Sequence, residues 1–184
     1  MRDLSLHILD LAQNSVRAEA KLVQLSVTVD DEGVLTLRIA DDGCGMSEEL
    51  LSRVTSPFAT TRTTRKVGLG IPMMAENCRL TGGDLTIESE VGKGTVLTAT
   101  LMTKSIDCLP LGDLAGTVTA LVSANPDKPE FLLACASPKG EMTFDTREVR
   151  EALQGVPLNE PEIVAWMLES MREEIEPIFG GVIL

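Results

Sequence analysis

The sequence predicts an α+β chain: a two-layer α/β sandwich followed by a small α/β extension. Three observations carry this. Apolar residues recur at helical spacing over 4–18 and 71–80. Strict apolar–polar alternation marks strands that come in pairs, each pair joined by a short Gly-bearing turn. Strands and helices also follow one another in blocks rather than in strict βαβ order, which favours helices packed on a mostly antiparallel sheet.

Each element has its own reason. Residues 21–30 alternate through Leu22, Leu25, Val27 and Val29, turn at Asp30-Asp31-Glu32-Gly33, and return over 34–40 through Leu35, Leu37 and Ile39. Ser47 is expected to cap a short helix with Glu48 and Glu49 in its first turn. Residues 56–66 show no period and read as a loop. The helix over 71–80 tolerates Pro72 in its first turn and stops before Gly82-Gly83. Residues 84–90 and 95–102 read as strands about the turn Val91-Gly92-Lys93-Gly94. Beyond them, Asp113 is expected to cap a helix reaching Ala124. Two strands follow, over 131–136 and 141–144, about Pro138-Lys139-Gly140. Helices are expected over 145–154 and 161–176, with Asn159 capping the last. The chain therefore divides into 1–102 and 103–184, although strand addition onto the first sheet would look the same in sequence.

Composition narrows the function. The 184 residues carry 28 acidic and 16 basic side chains, a formal charge of −12, which argues against nucleic acid or an anionic membrane surface as a partner. No apolar run is long enough to span a bilayer, and the amphipathic N-terminus with its early acid is wrong for a secretory signal. Cys44, Cys78, Cys108 and Cys135 are widely spaced and read as reduced thiols of a cytoplasmic protein, and with a single His no zinc site is expected. The charge is uneven. Residues 1–102 hold ten basic and fourteen acidic side chains, whereas 103–184 hold six and fourteen. Residues 53–75 contain Arg53, Arg62, Arg65 and Lys66 and no acid at all.

Four stretches carry chemistry. On the first helix His7, Asp10, Asn14 and Arg17 fall within an arc of roughly 80° at ~100° per residue. Asn and Asp oxygens are hard ligands suited to Mg²⁺, and a carboxylate there could orient a water against a phosphate. Asp41-Asp42-Gly43-Cys44-Gly45-Met46 follows a strand; its glycines let backbone approach a flat ligand, and a strand-end Asp can accept from an exocyclic amine. Arg65-Lys66-Val67-Gly68-Leu69-Gly70 leads into a helix whose free N–H groups and dipole favour an anion. Gly92-Lys93-Gly94-Thr95 is a hairpin turn that ends in a hydroxyl.

In order and spacing these stretches resemble the ATPase superfamily shared by histidine kinases, DNA gyrase, Hsp90 and MutL, over about residues 4–102. The resemblance implies a Bergerat-type ATP-binding fold with ATP and Mg²⁺ as cofactors. Asp10 and Asn14 stand at the N-box positions, which implies Mg²⁺ on Asn14 and a catalytic or metal-supporting role, through water, for Asp10. Hydrolysing members usually carry Glu where Asp10 stands, one methylene longer. Asp41 matches the residue that hydrogen-bonds the adenine amine, with Gly43, Gly45 and Met46 about it and Thr95 beside the base. Arg17 and Lys66 would contact phosphates, Pro57-Phe58-Ala59-Thr60-Thr61 resembles the ATP lid, and Gly68, Leu69 and Gly70 the second glycine box. The expected function is a cytoplasmic, Mg²⁺-dependent ATPase or kinase domain in signalling. Two alternatives stay open: a stand-alone anti-sigma-like protein kinase, and a non-catalytic ATP sensor that switches partner binding. A protein partner or phosphoacceptor is implied, with a homodimer as a further expectation.

Overall fold

The computed structural model describes residues 2–55 and 69–180. Within them the elements run α1 (Leu4–Arg17), β1 (Leu22–Val29), β2 (Val34–Asp41), α2 (Glu48–Thr55), α3 (Gly70–Thr81), β3 (Leu85–Glu90), β4 (Gly94–Met102), α4 (Leu114–Ala124), β5 (Glu130–Ser137), β6 (Gly140–Asp145), α5 (Thr146–Leu153) and α6 (Pro161–Phe179). The strands form one six-stranded sheet in the order β3-β4-β2-β1-β5-β6. Every neighbouring pair is antiparallel except β1 with β5, where Leu22 lies opposite Glu130 and Thr28 opposite Ala136. The two-layer sandwich expected from the sequence is the fold observed.

Alternation decides which face of the sheet is covered. Val23, Leu25, Val27 and Val29 of β1 and Leu35, Leu37 and Ile39 of β2 are buried beneath the helices. Leu4, Ile8 and Leu11 of α1, Met74 and Cys78 of α3, and Val118 and Leu121 of α4 complete one core with them. Gln24, Arg38, Thr86, Glu88 and Thr143 occupy the other, exposed face. The strands and helices of 103–184 enter the same sheet and the same core, through Phe131, Leu133, Met167, Met171 and Phe179 among others.

Helix ends follow local chemistry. Asp3 accepts from the backbone N–H of Leu6 and caps α1; Asp113 accepts from Gly116 N and caps α4. Ser47 Oγ accepts from Leu50 N at 3.3 Å, as its position before α2 predicts. Two expectations at α6 need correcting. Its N-cap residue is Glu160, not Asn159, and no side chain caps it; Pro161 opens the helix, its fixed φ suited to the first turn. It also runs through Pro177 to Phe179, because Ile178 and Phe179 are buried and draw the final turn onto the core. All four cysteines are free thiols. Among the described residues no helix is long and apolar enough to cross a membrane.

The fully buried His7 ties α1 to α3, its Nε2 lying 2.9 Å from Asn77 Nδ2. Among the described residues its Nδ1 has no hydrogen-bond partner. Burial pushes its pKa below the ordinary 6.5, as does the N-terminal charge, against the opposing pull of Asp10 and Asp3. The native state thus holds His7 neutral, while the unfolded chain takes up a proton below about pH 6.5. Stability should therefore fall as pH drops below that value, by at most about 1.4 kcal/mol per unit, and level off once the folded protein also protonates. His7 is the only histidine, so urea melts between about pH 5 and 6.5 isolate it. A His7→Leu protein should show a flatter profile in that window; an unchanged slope would rule His7 out as its source.

Candidate functional site

The carboxyl end of β2 meets the end of α1 and the β3–β4 turn around a cavity of about 390 Å³. That volume lies in the range of small-molecule sites. Its walls are largely apolar, with Leu11 and Ala18 from α1, Ile39 from β2, Leu50 and Val54 from α2, and Leu97 from β4. Polar groups are few. Asn14, Ser15, Arg17, Asp41 and Thr95 supply them.

The neighbouring acids Asp41 and Asp42 have separate roles. Asp42 Oδ1 accepts from the backbone N–H groups of Lys21 (2.7 Å) and Leu22 (2.9 Å). The Leu22 N–H holds the Asp42 carboxyl below the usual carboxylate range, and Asp42 pins the start of β1. Asp41 faces the cavity instead. Its Oδ2 accepts from Ser15 Oγ at 2.6 Å and its Oδ1 from Gly43 N at 2.9 Å. A carboxylate has about four acceptor positions, so two remain for a ligand donor. Ser15 is buried, so its hydroxyl fixes the acid from within the protein.

The Asp41 loop is clamped to the β3–β4 turn. Gly92 N donates to Cys44 O, and Met46 N donates to Ser89 Oγ at 2.8 Å. Ser89 Oγ in turn donates to Gly94 O and lies 2.8 Å from Thr95 Oγ1. Thr95 sits directly opposite Asp41 in the ladder. Backbone meets backbone here: a Cβ on Gly45 would lie 2.0 Å from Glu90 O, and one on Gly94 1.8 Å from Asp41 O. Both residues also have φ in the left-handed region, at +65° and +105°.

Of the residues singled out in the sequence, Asn14, Arg17, Asp41, Gly45, Met46 and Thr95 line the cavity. Arg17 Nη1 lies 3.4 Å from Asn14 Oδ1 and donates to it. Gly43 lies just behind the lining, where a Cβ would meet the Ala18 carbonyl at 2.7 Å. Asp10 and Gly70 meet each other: a Cβ on Gly70 would lie 2.2 Å from Asp10 Oδ2. The Asp10 carboxylate therefore rests on the first residue of α3, where the helix dipole favours negative charge, and neither residue lines the cavity. Leu69 precedes α3, is exposed and lies outside the lining. Lys66 and Gly68, with the lid stretch 57–61, Arg62 and Arg65, lie outside the described residues. Ser89 carries no signal in the sequence beyond being a small polar residue in a strand. The wall residues Leu11, Ile39 and Leu97 read simply as core.

Comparison with known proteins bears on the family. Histidine protein kinase DivJ of Caulobacter vibrioides is 32% identical over 105 residues, covering 54% of this chain and 18% of that protein. Sensor kinase CckA of Brucella abortus is 31% identical over 167 residues, covering 82% of this chain and 16% of that protein. The chain thus spans less than a fifth of the length of either relative. Among solved structures, the Aquifex aeolicus MutL ATPase domain complexed with ADP superposes with a TM-score of 0.50 at 15% identity, over 84% of this chain and 70% of that one. The N-terminal domain of a DNA repair protein does so with a TM-score of 0.50, also at 15% identity, over 98% of this chain and 58% of that one. At such identities these two likenesses bear on the fold alone. The model of the histidine kinase-, DNA gyrase B- and HSP90-like ATPases matches residues 2–105, and the chain belongs to that family, whose ATP-binding domain it carries.

Proposed function

We propose that the chain is a Mg²⁺-dependent ATP-binding, kinase-like domain that acts in cytoplasmic signalling, with the cavity beneath Asp41 as its nucleotide seat. The observation that carries this reading is Asp41 itself, a carboxylate fixed by Ser15 and Gly43 on the wall of a largely apolar cavity. Apolar walls with an oriented acceptor suit adenine, whose exocyclic amine would donate to Asp41. Thr95 stands opposite and would flank the base. In this reading residues 1–102 form the nucleotide-binding unit, and 103–184 are the part that adapts it to a particular role.

Asn14 supplies the hard oxygen that Mg²⁺ prefers, and the Asp10 carboxylate one turn before it would add support through water. Few protein ligands suffice, because Mg²⁺ keeps waters and takes phosphate oxygens. Bound there, it would neutralise charge on the phosphates. Arg17, now paired to Asn14 Oδ1, would turn to the phosphates, together with Lys66. The Asp10 carboxylate packs on Gly70 rather than lining the cavity, which favours a supporting role over direct activation of an attacking water.

Calorimetry tests the assignment. Asn14→Ala should weaken binding of ATP by about tenfold or more when Mg²⁺ is present, and by far less when it is chelated. Equal losses in both conditions would remove Asn14 from the metal site. Incubation with γ-labelled ATP then separates the fates of the nucleotide. Label on a protein acceptor supports the kinase reading, free phosphate an ATPase, and tight binding with neither the sensor. If free phosphate appears, Asp10→Asn should abolish it while ATP still binds.

A further inference from the structure

The only tryptophan of the chain lies on the surface. Trp166 on α6 is 51% exposed, although the opposite side of the same helix buries Met167, Met171 and Ile175 in the core. It is therefore not there to complete the interior. One turn earlier on the same helix, Glu162 and Ile163 line an open groove of about 730 Å³ where the chain passes from α5 into α6; Val156, Pro157 and Pro161 add apolar walls and Glu160 a second acid. Val156 is itself 42% exposed. Glu162 and Glu169 stand four residues before and three after Trp166, so their carboxylates share the indole's face of the helix. Glu160, Glu162, Glu169 and Glu173 are exposed and form no ion pair among the described residues. The three arginines of this half are already engaged: Arg147 with Asp145, Arg150 with Glu130 and Arg172 with Asp113.

We infer that this groove docks an amphipathic, arginine- or lysine-bearing segment of a partner protein. An exposed indole one helical turn from a groove with apolar walls is the composition of an interface anchor. A guanidinium or ammonium stacked on Trp166 gains the cation–π attraction and meets Glu162 or Glu169 at the same time, while the apolar stripe of the segment fills the walls formed by Val156 and Ile163. A second copy of the same face would set acid against acid, in a chain of net charge −12, so a basic partner is the occupant the charges select. The groove lies outside residues 2–105, the part matched by the ATPase family, and the inference does not depend on the nucleotide site.

Trp166 reports on its own occupancy, because no other indole contributes to the emission. The 184-residue chain is titrated with a synthetic peptide of repeating Leu-Arg-Lys-Leu units and with a Leu-Glu-Glu-Leu counterpart. The basic peptide should give a saturable blue shift that weakens with salt, and the acidic one none. Glu162→Gln with Glu169→Gln should loosen binding by roughly threefold to tenfold. Neutralising Asp31 and Glu32, in the β1–β2 turn, should leave it unchanged. No shift with the basic peptide, a shift with the acidic one, or equal losses in the two double variants would each overturn the inference. So would a shift that tracks protein concentration without peptide, which would make a second copy the occupant.

Discussion

Asp41→Ala is expected to lower affinity for ATP by roughly a hundredfold, the largest effect of any single side chain in the cavity. A hydrogen bond to a charged group contributes about 1.5–3 kcal/mol, or one to two orders of magnitude in affinity. The alanine also strands the buried Ser15 hydroxyl and the Gly43 N–H, both of which now donate to the carboxylate. Leaving a buried hydroxyl unpaired costs about 1–3 kcal/mol, so the apo protein should also melt earlier. Ser15→Ala separates the two effects. It keeps the acid but removes one of its two anchors, and should weaken ATP only severalfold. Thermal melts with and without ATP provide the check alongside calorimetry, because a ligand that binds only the native state raises the melting point by mass action. An Asp41→Ala protein still stabilised by ATP to the wild-type extent would remove Asp41 from the adenine site.

Gly94→Ala is expected to destabilise the fold by about 3 kcal/mol or more, lowering the melting temperature by roughly 6–12 °C. Two costs combine at this position. The backbone sits at φ +105°, and the new methyl would fall 1.8 Å from the Asp41 carbonyl oxygen, which belongs to a strand and cannot swing aside. Gly92 is the internal comparison. It has φ +80° in the same turn, yet no atom of the described residues lies within 4 Å of its Cβ position. Gly92→Ala should therefore show the conformational cost alone, about 1–2 kcal/mol. If the two variants melt alike, the contact between the β3–β4 turn and the Asp41 loop contributes nothing. Because Gly94 packs against the Asp41 backbone, its alanine variant should also bind ATP poorly at temperatures where it remains folded.

Much of this was legible in the residues. The alternation of β1 and β2, the capping aspartates of α1 and α4, and the glycine-framed Asp41 all carry short-range signals, in which one residue type has few alternative uses. What stayed hidden depends on distance. Nothing in Phe131 or Leu133 says that β5 will lie parallel to β1, since an apolar strand face is the same whichever neighbour it joins. The pocket wall was equally silent. Leu11, Ile39 and Leu97 obey the core pattern, and only the arrangement of several elements turns that surface toward a cavity. His7 was misleading in the opposite sense. Its place on the polar stripe of α1 suggested the site, whereas it is sealed against Asn77. At α6, Asn159 had the right chemistry for a cap and stood one residue too early.

The parallel pairing of β1 with β5 has a consequence for what the family-sized half could do alone. β1 follows directly on the helix that carries Asn14, and β5 lies along its outer margin over Leu22 to Thr28. Cut away everything after residue 102 and that margin becomes an open row of backbone donors and acceptors beside Val23, Leu25 and Val27, the kind of edge on which chains stack into aggregates. The extension is thus more than an appendage to the nucleotide-binding half. It is the selvedge that keeps its weave from unravelling or catching on a neighbour, and any transplant of the site into another protein has to carry that border with it.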